Sequence, residues 1–134
     1  MPDQTDQVAI EEKSYVVRIG TRAKRDIDQS FLRFVGLEGI QNAIEWQRGL
    51  YLSIRKLSTN PKRFPLIREA RRFSFDVRQF VYKRTAHSVA YRVMYRVEYN
   101  AELGPMVVIV HVRHSANRVI TRKQAREIEA QDEQ

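Results

Sequence analysis

The chain has 134 residues, 43% apolar and 30% charged, which suits one soluble domain with a single core. It has no cysteine, which excludes disulfides and thiolate chemistry, and no apolar run approaches the roughly 20 residues that span a bilayer. The net charge of +8 is regional: without residues 1–13 and 121–134, the middle of the chain holds 20 bases and 8 acids, a balance that favours nucleic acid or an acidic protein segment.

Residues 1–13 are acidic and aperiodic, with neither a basic n-region nor an apolar h-region. They predict a disordered leader on a cytoplasmic protein with no membrane partner. The run YVVRI at 15–19 predicts a short strand closed by Gly20. Thr21 is then placed as an N-cap, and Ala23, Ile27, Phe31, Phe34 and Val35 follow at helical spacing until Gly36 and Gly39 interrupt them. A second helical stripe runs through Ile40, Ala43, Ile44, Gln47, Leu50, Tyr51, Ile54 and Leu57, and Asn60-Pro61 stops it. Two amphipathic helices on a short Gly-containing link fold back as a hairpin.

Residues 62–72 read as a basic loop. Phe73, Phe75 and Val77 alternate, then Phe80 and Tyr82 alternate on the other parity, which predicts a bulge near Arg78 and Gln79. From 89 to 99, Val89, Tyr91, Val93, Tyr95, Val97 and Tyr99 share one strand face, predicted buried; Arg92, Met94, Arg96 and Glu98 share the other, predicted wetted. The loop 100–105 supplies Gly and Pro for the turn. The nearly unbroken apolar run 106–112 predicts a central strand covered on both sides. Residues 121–134 favour helix but offer only Ala125 and Ile128 for burial, so this tail frays or needs a partner.

The fold class that follows is α+β: an N-terminal strand and a two-helix hairpin packed on a twisted, mainly antiparallel sheet of three or four strands. The two helices form a crossover long enough for the first strand to pair in parallel. Residues 14–120 constitute the domain. Tyr91, Val93, Tyr95, Leu50 and Ile54 are expected inside, with Trp46 in the core or facing a partner. Arg92 and Arg96, next to Arg113 and His114 at the strand end, are expected to form a surface for an anionic partner.

In this order, Ala43-x-x-Trp46, Ile54-x-x-Leu57-x-x-x-Pro61, Val77-Arg78, Tyr91-Arg92-Val93-x-Tyr95-Arg96-Val97 and Val110-x-Val112-x-His114-x-Ala116-x-Arg118 resemble the RelE/ParE superfamily of bacterial toxins. The resemblance implies the toxin of a type II toxin–antitoxin pair, neutralised by a small acidic antitoxin that folds on binding. RelE-like members cleave mRNA on the ribosome and ParE-like members poison DNA gyrase. Arg92 matches an arginine used by the nucleases, and His114 lies where some of them place an acid or base. The paired nuclease lysines are replaced by Arg78 and Phe80, and an arginine exchanges no proton near neutral pH. The His-x-Ala-x-Arg ending and the tryptophan-bearing second helix are closer to the ParE branch, which implies gyrase inhibition, with mRNA endonuclease or a plain nucleic-acid-binding module as alternatives. The basic strand face and strand end, together with the resemblance, point to Arg78, Arg92, Arg96, Arg113, His114 and Arg118 for partner binding; for a nuclease the resemblance assigns catalysis to Arg92, His114 and Arg78.

Plainer roles compete. Glu98 can hold Arg96 in a salt bridge, and Arg68, Arg71 and Arg72 can be solvated loop residues. His87 and His111 have no metal-ligand spacing with any carboxylate, so neither metal nor cofactor is expected.

Overall fold

Two glycines punctuate the N-terminal half. The computed structural model describes residues 14–116 and 119–132, so the acidic leader and Arg118 lie outside the described residues. Strand β1 (Val16–Ile19) ends at Gly20, whose extended backbone caps helix α1 (Thr21–Glu38); Thr21 is the first helical residue and not the cap. Gly36 lies within the helix, where a side chain would meet open space, and the break falls at Gly39, whose φ of 89° lies in the region glycine favours. Helix α2 (Ile40–Arg55) runs back and tightens into a 3₁₀ turn at Lys56–Ser58. Three more strands follow, β2 (Arg78–Tyr82), β3 (Tyr91–Asn100) and β4 (Gly104–His114), then helix α3 (Arg122–Asp132). The sheet order is β1-β4-β3-β2, with β1 parallel to β4 and the other pairs antiparallel. Asn100 Oδ1 accepts the backbone N–H groups of Glu102 and Leu103 to close the β3–β4 turn, and Gly104 takes a φ of 82°.

Ala23 and Ile27 of α1 and Trp46, Leu50 and Ile54 of α2 pack on Tyr91, Val93, Tyr95, Val107, Ile109 and Val112 of the sheet. Tyr91, Val93, Tyr95, Leu50 and Ile54 are inside as expected. Val89 lies before β3 and Tyr99 near its turn, and these two are 46% and 77% exposed instead of buried. Trp46 is core, stacked on Phe34 at 5.5 Å. Tyr95 donates its hydroxyl to the Pro61 carbonyl at 2.5 Å, and burial pushes that phenol up to about 12. Tyr82 donates to the Trp46 carbonyl at 2.9 Å, which brings its oxygen against the α carbon of Gly49. A methyl group on Gly49 would overlap the Tyr82 hydroxyl. Gly49→Ala is therefore expected to lose about 1–3 kcal/mol in urea denaturation despite its better helix propensity, and a stabilised variant would contradict this packing.

The second face of the sheet departs from expectation. Arg92 and Met94 are buried, because residues 66–77 and α3 cover the face predicted to be wet. Ile67, Phe73, Val77, Ile120, Ala125 and Ile128 pack there against Met94, Met106, Val108 and Val110. The C-terminal helix thus finds its partner within the chain. Only residues 78–82 of the expected 73–82 strand pair with β3; Val77 accepts the Ile67 N–H at 2.9 Å. The bulge falls on β4 and not near Gln79: the register steps from Met94↔His111 to Tyr95↔Ile109, leaving Val110 extra. That extra residue lets both Ile109 and Val112 serve the helix-side core.

Candidate functional site

Helix α1 carries a polar stripe beside its apolar one. Arg22, Asp26, Gln29, Ser30 and Arg33 recur at three- and four-residue spacing, so they share one flank of the helix. That flank faces the end of β4, and with Arg113, His111, His114 and Gln124 of α3 it encloses a cleft of about 220 Å³. Asp26 is the carboxylate among the lining residues. It accepts the Val112 N–H at 3.0 Å, meets His111 Nδ1 at 2.8 Å and lies 3.8 Å from Arg22 Nε. Burial pulls the His111 pKa below its ordinary value against the upward pull of Asp26, so the neutral ring donates its Nδ1 proton to the carboxylate. Arg22 also donates to Gln131 Oε1 at 2.8 Å, tying α1 to α3.

Arg113 stands opposite Arg92 in the β3–β4 register. Arg92 is compensated; Arg113 is not. Its Nε is buried without a hydrogen-bond partner, and burial followed by the charge of Arg92 pulls its pKa below the ordinary value. Among the described residues neither Arg33 nor Arg113 has a hydrogen-bond acceptor. A second pocket of about 430 Å³ adjoins, sharing Arg33, Tyr91 and His114 and walled by Phe34, Leu37 and Val89.

The residues assigned to catalysis by the resemblance do not converge. Arg92 forms a bidentate pair with Glu69, at 2.7 and 3.1 Å, and donates Nε to Gln79 at 2.6 Å; only 5% of it is exposed. Arg78 donates to the carbonyls of Phe64 at 2.6 Å and Lys62 at 3.2 Å, and stands opposite Tyr95, on the other face of the sheet from Arg92. His114 stands opposite Tyr91, with the two rings 5.5 Å apart, and its Nδ1 accepts the Ala116 N–H at 3.0 Å. Arg96 pairs with Glu98 at 2.8 Å and lies over the Phe75 ring at 5.0 Å. Of the described arginines expected to face a partner, Arg113 is the one that lines the cleft; Arg22 and Arg33 were not anticipated. Their stripe is visible in the sequence, but only the fold shows that it faces a strand end and not open water.

Among the described residues no group of three His, Asp or Glu side chains could hold a metal ion, and no helix is long and apolar enough to cross a membrane. No protein-family model and no curated protein matches the chain. A solved structure, the "Chromosomal ParDE TA system from P. aeruginosa", contains a chain of similar fold, with a TM-score of 0.57 and 16% identity over 76% of this chain and 97% of that one. At that identity the likeness is one of fold.

Proposed function

We propose that this chain is the toxin of a type II toxin–antitoxin pair, that it acts on DNA gyrase, and that a small acidic antitoxin neutralises it. The observation that carries the reading is the fold shared with a chain of a ParDE system over three-quarters of the molecule. The chemistry supports the gyrase branch over the nuclease branch. Cleavage through a 2′-hydroxyl needs a proton acceptor, a proton donor and a cation around one phosphate. Here Arg92 is consumed by Glu69 and Arg78 by two carbonyls, on opposite faces of the sheet. An antitoxin segment has apolar ground to use in Leu32, Leu37 and Ile40, which are exposed at the C-terminal end of α1 and the start of α2, next to the uncompensated Arg33.

Induced expression of the chain alone is expected to arrest growth, and co-expression of a short acidic protein from the adjacent reading frame to relieve the arrest. Purified protein should block supercoiling by gyrase and accumulate cleaved DNA while leaving ribosome-bound message intact. Cut message with unaffected gyrase would select the endonuclease reading. Growth without arrest would remove the toxin reading altogether.

A further inference from the structure

We propose that the cleft between α1 and the end of β4 binds a phosphate monoester, with the phosphoryl group between Arg33 and Arg113 and an uncharged nucleoside body in the adjoining pocket. The charge balance selects the ligand. Arg22 is occupied by Gln131 and Asp26, and Asp26 is itself held by His111 and the Val112 N–H. Of the cleft's guanidinium groups, those of Arg33 and Arg113 remain without an acceptor among the described residues. A carboxylate would balance one of them; a phosphate monoester, close to a dianion at neutral pH, balances both and offers three oxygens to their planar forks.

Gln29, Ser30 and Gln124 add neutral donors around the same space. The fixed charge opposite Arg113 cannot relieve it, because the charge on Arg92 is of the same sign and Glu69 already holds that residue. The cleft passes into the second pocket across Arg33, Tyr91 and His114. The wall formed there by Phe34, Leu37 and Val89 suits an apolar, planar body. Of the charged residues on its rim, Arg84 is paired with Glu45 at 3.4 Å, so Glu38 is left to oppose a second negative charge. The group that fits the two pockets is thus a terminal phosphate monoester with its own uncharged nucleoside, any further phosphate lying outside them. Such a group occurs on a free mononucleotide and on the 5′ end of a nucleic-acid strand, and the site does not depend on the toxin reading.

Calorimetric titration of the full chain with 5′-AMP, adenosine, and a trinucleotide with and without a 5′-phosphate tests this. Saturable one-to-one binding of 5′-AMP is expected, with adenosine at least about tenfold weaker, the scale of losing charge-assisted hydrogen bonds. Arg33→Gln should weaken 5′-AMP by about tenfold, as should Arg113→Gln, while Arg25→Gln on the exposed side of α1 should not. Arg33 is itself exposed, so its variant keeps the test valid if Arg113→Gln fails to fold. Tighter binding of the 5′-phosphorylated trinucleotide than of 5′-AMP identifies a strand end as the source; the reverse identifies the free mononucleotide. No saturable binding, equal binding of the phosphorylated and unphosphorylated forms, or an equal loss in Arg25→Gln would overturn the proposal.

Discussion

Glu69→Gln is expected to cost the fold about 3–5 kcal/mol, the scale of breaking a buried ion pair from one side. The Glu69 carboxylate, 2% exposed, accepts both Arg92 Nη groups and the Ile120 N–H at 3.0 Å, and Arg72 donates to the Ile120 carbonyl at 2.6 Å. One side chain thus joins β3, the loop after Pro65 and the approach to α3. Burial alone would raise the Glu69 pKa; the hydrogen bonds from Arg92 and Ile120 and the Arg92 charge overcome it and hold the carboxyl at about 2 against an ordinary 4.5. A depressed carboxyl contributes stability that is complete above its unfolded value and is lost as protons bind the folded state. The wild-type chain should therefore lose stability as pH falls from about 4.5 towards 2, and the Gln variant should lack that part of the slope. The pair Glu69→Leu with Arg92→Met should recover part of the loss, but not the acceptor for Ile120, worth about 1 kcal/mol. Urea denaturation across this pH range checks both points. A Glu69→Gln variant within 1 kcal/mol of wild type would mean that the pair is not holding these segments.

This node also marks where the sequence stops being readable. Alternation at Tyr91, Val93 and Tyr95 correctly assigned one face of β3, because a period of two has one structural meaning there. The run 106–112 correctly predicted a strand covered on both sides, and β1 does pair in parallel. Those two readings conflict with a wetted Arg92 face, since β3 is the neighbour of β4 and shares its cover. Met94 in that face was the local sign of it. The cover itself is assembled from scattered residues: Ile67, Ile120, Ala125 and Ile128 form no extended run, and the alternation of Phe73, Phe75 and Val77 reads as a strand and not as a cover. The partner of Arg92 lies 23 residues upstream, a lone acid among arginines that reads as loop charge. Parity placed the bulge near Gln79, whereas the apolar run of β4 hid the extra residue at Val110, where every side chain is buried and no alternation exists to break. The cleft shows the same limit: Arg113 and His114 were legible as a basic strand end, but the stripe from Arg22 to Arg33 looks like any solvated helix face until β4 is brought against it.

Removal of α3 should have the second large effect. Ala125 and Ile128 are fully buried, Glu129 accepts the backbone N–H and the hydroxyl of Ser74, and Gln131 accepts from Arg22. The helix has a polar composition and would not persist alone, so its order comes from this docking. Ile128→Ala is expected to lose about 2–5 kcal/mol, the range for emptying a buried aliphatic site, and to lower the thermal midpoint accordingly. Truncation after Ile120 should go further, because it uncovers Met94, Val108 and Val110 together, an apolar patch that a soluble monomer rarely leaves in water. The shortened chain should bind a hydrophobic dye and associate on sizing columns. It should also lose the cleft, since Gln124 and Ile128 line it and Gln131 steadies Arg22. If the truncated chain instead melted cooperatively at the full-length midpoint, α3 would be an appendage and not a layer of the fold. The cleft would then have to be held by α1 and β4 alone.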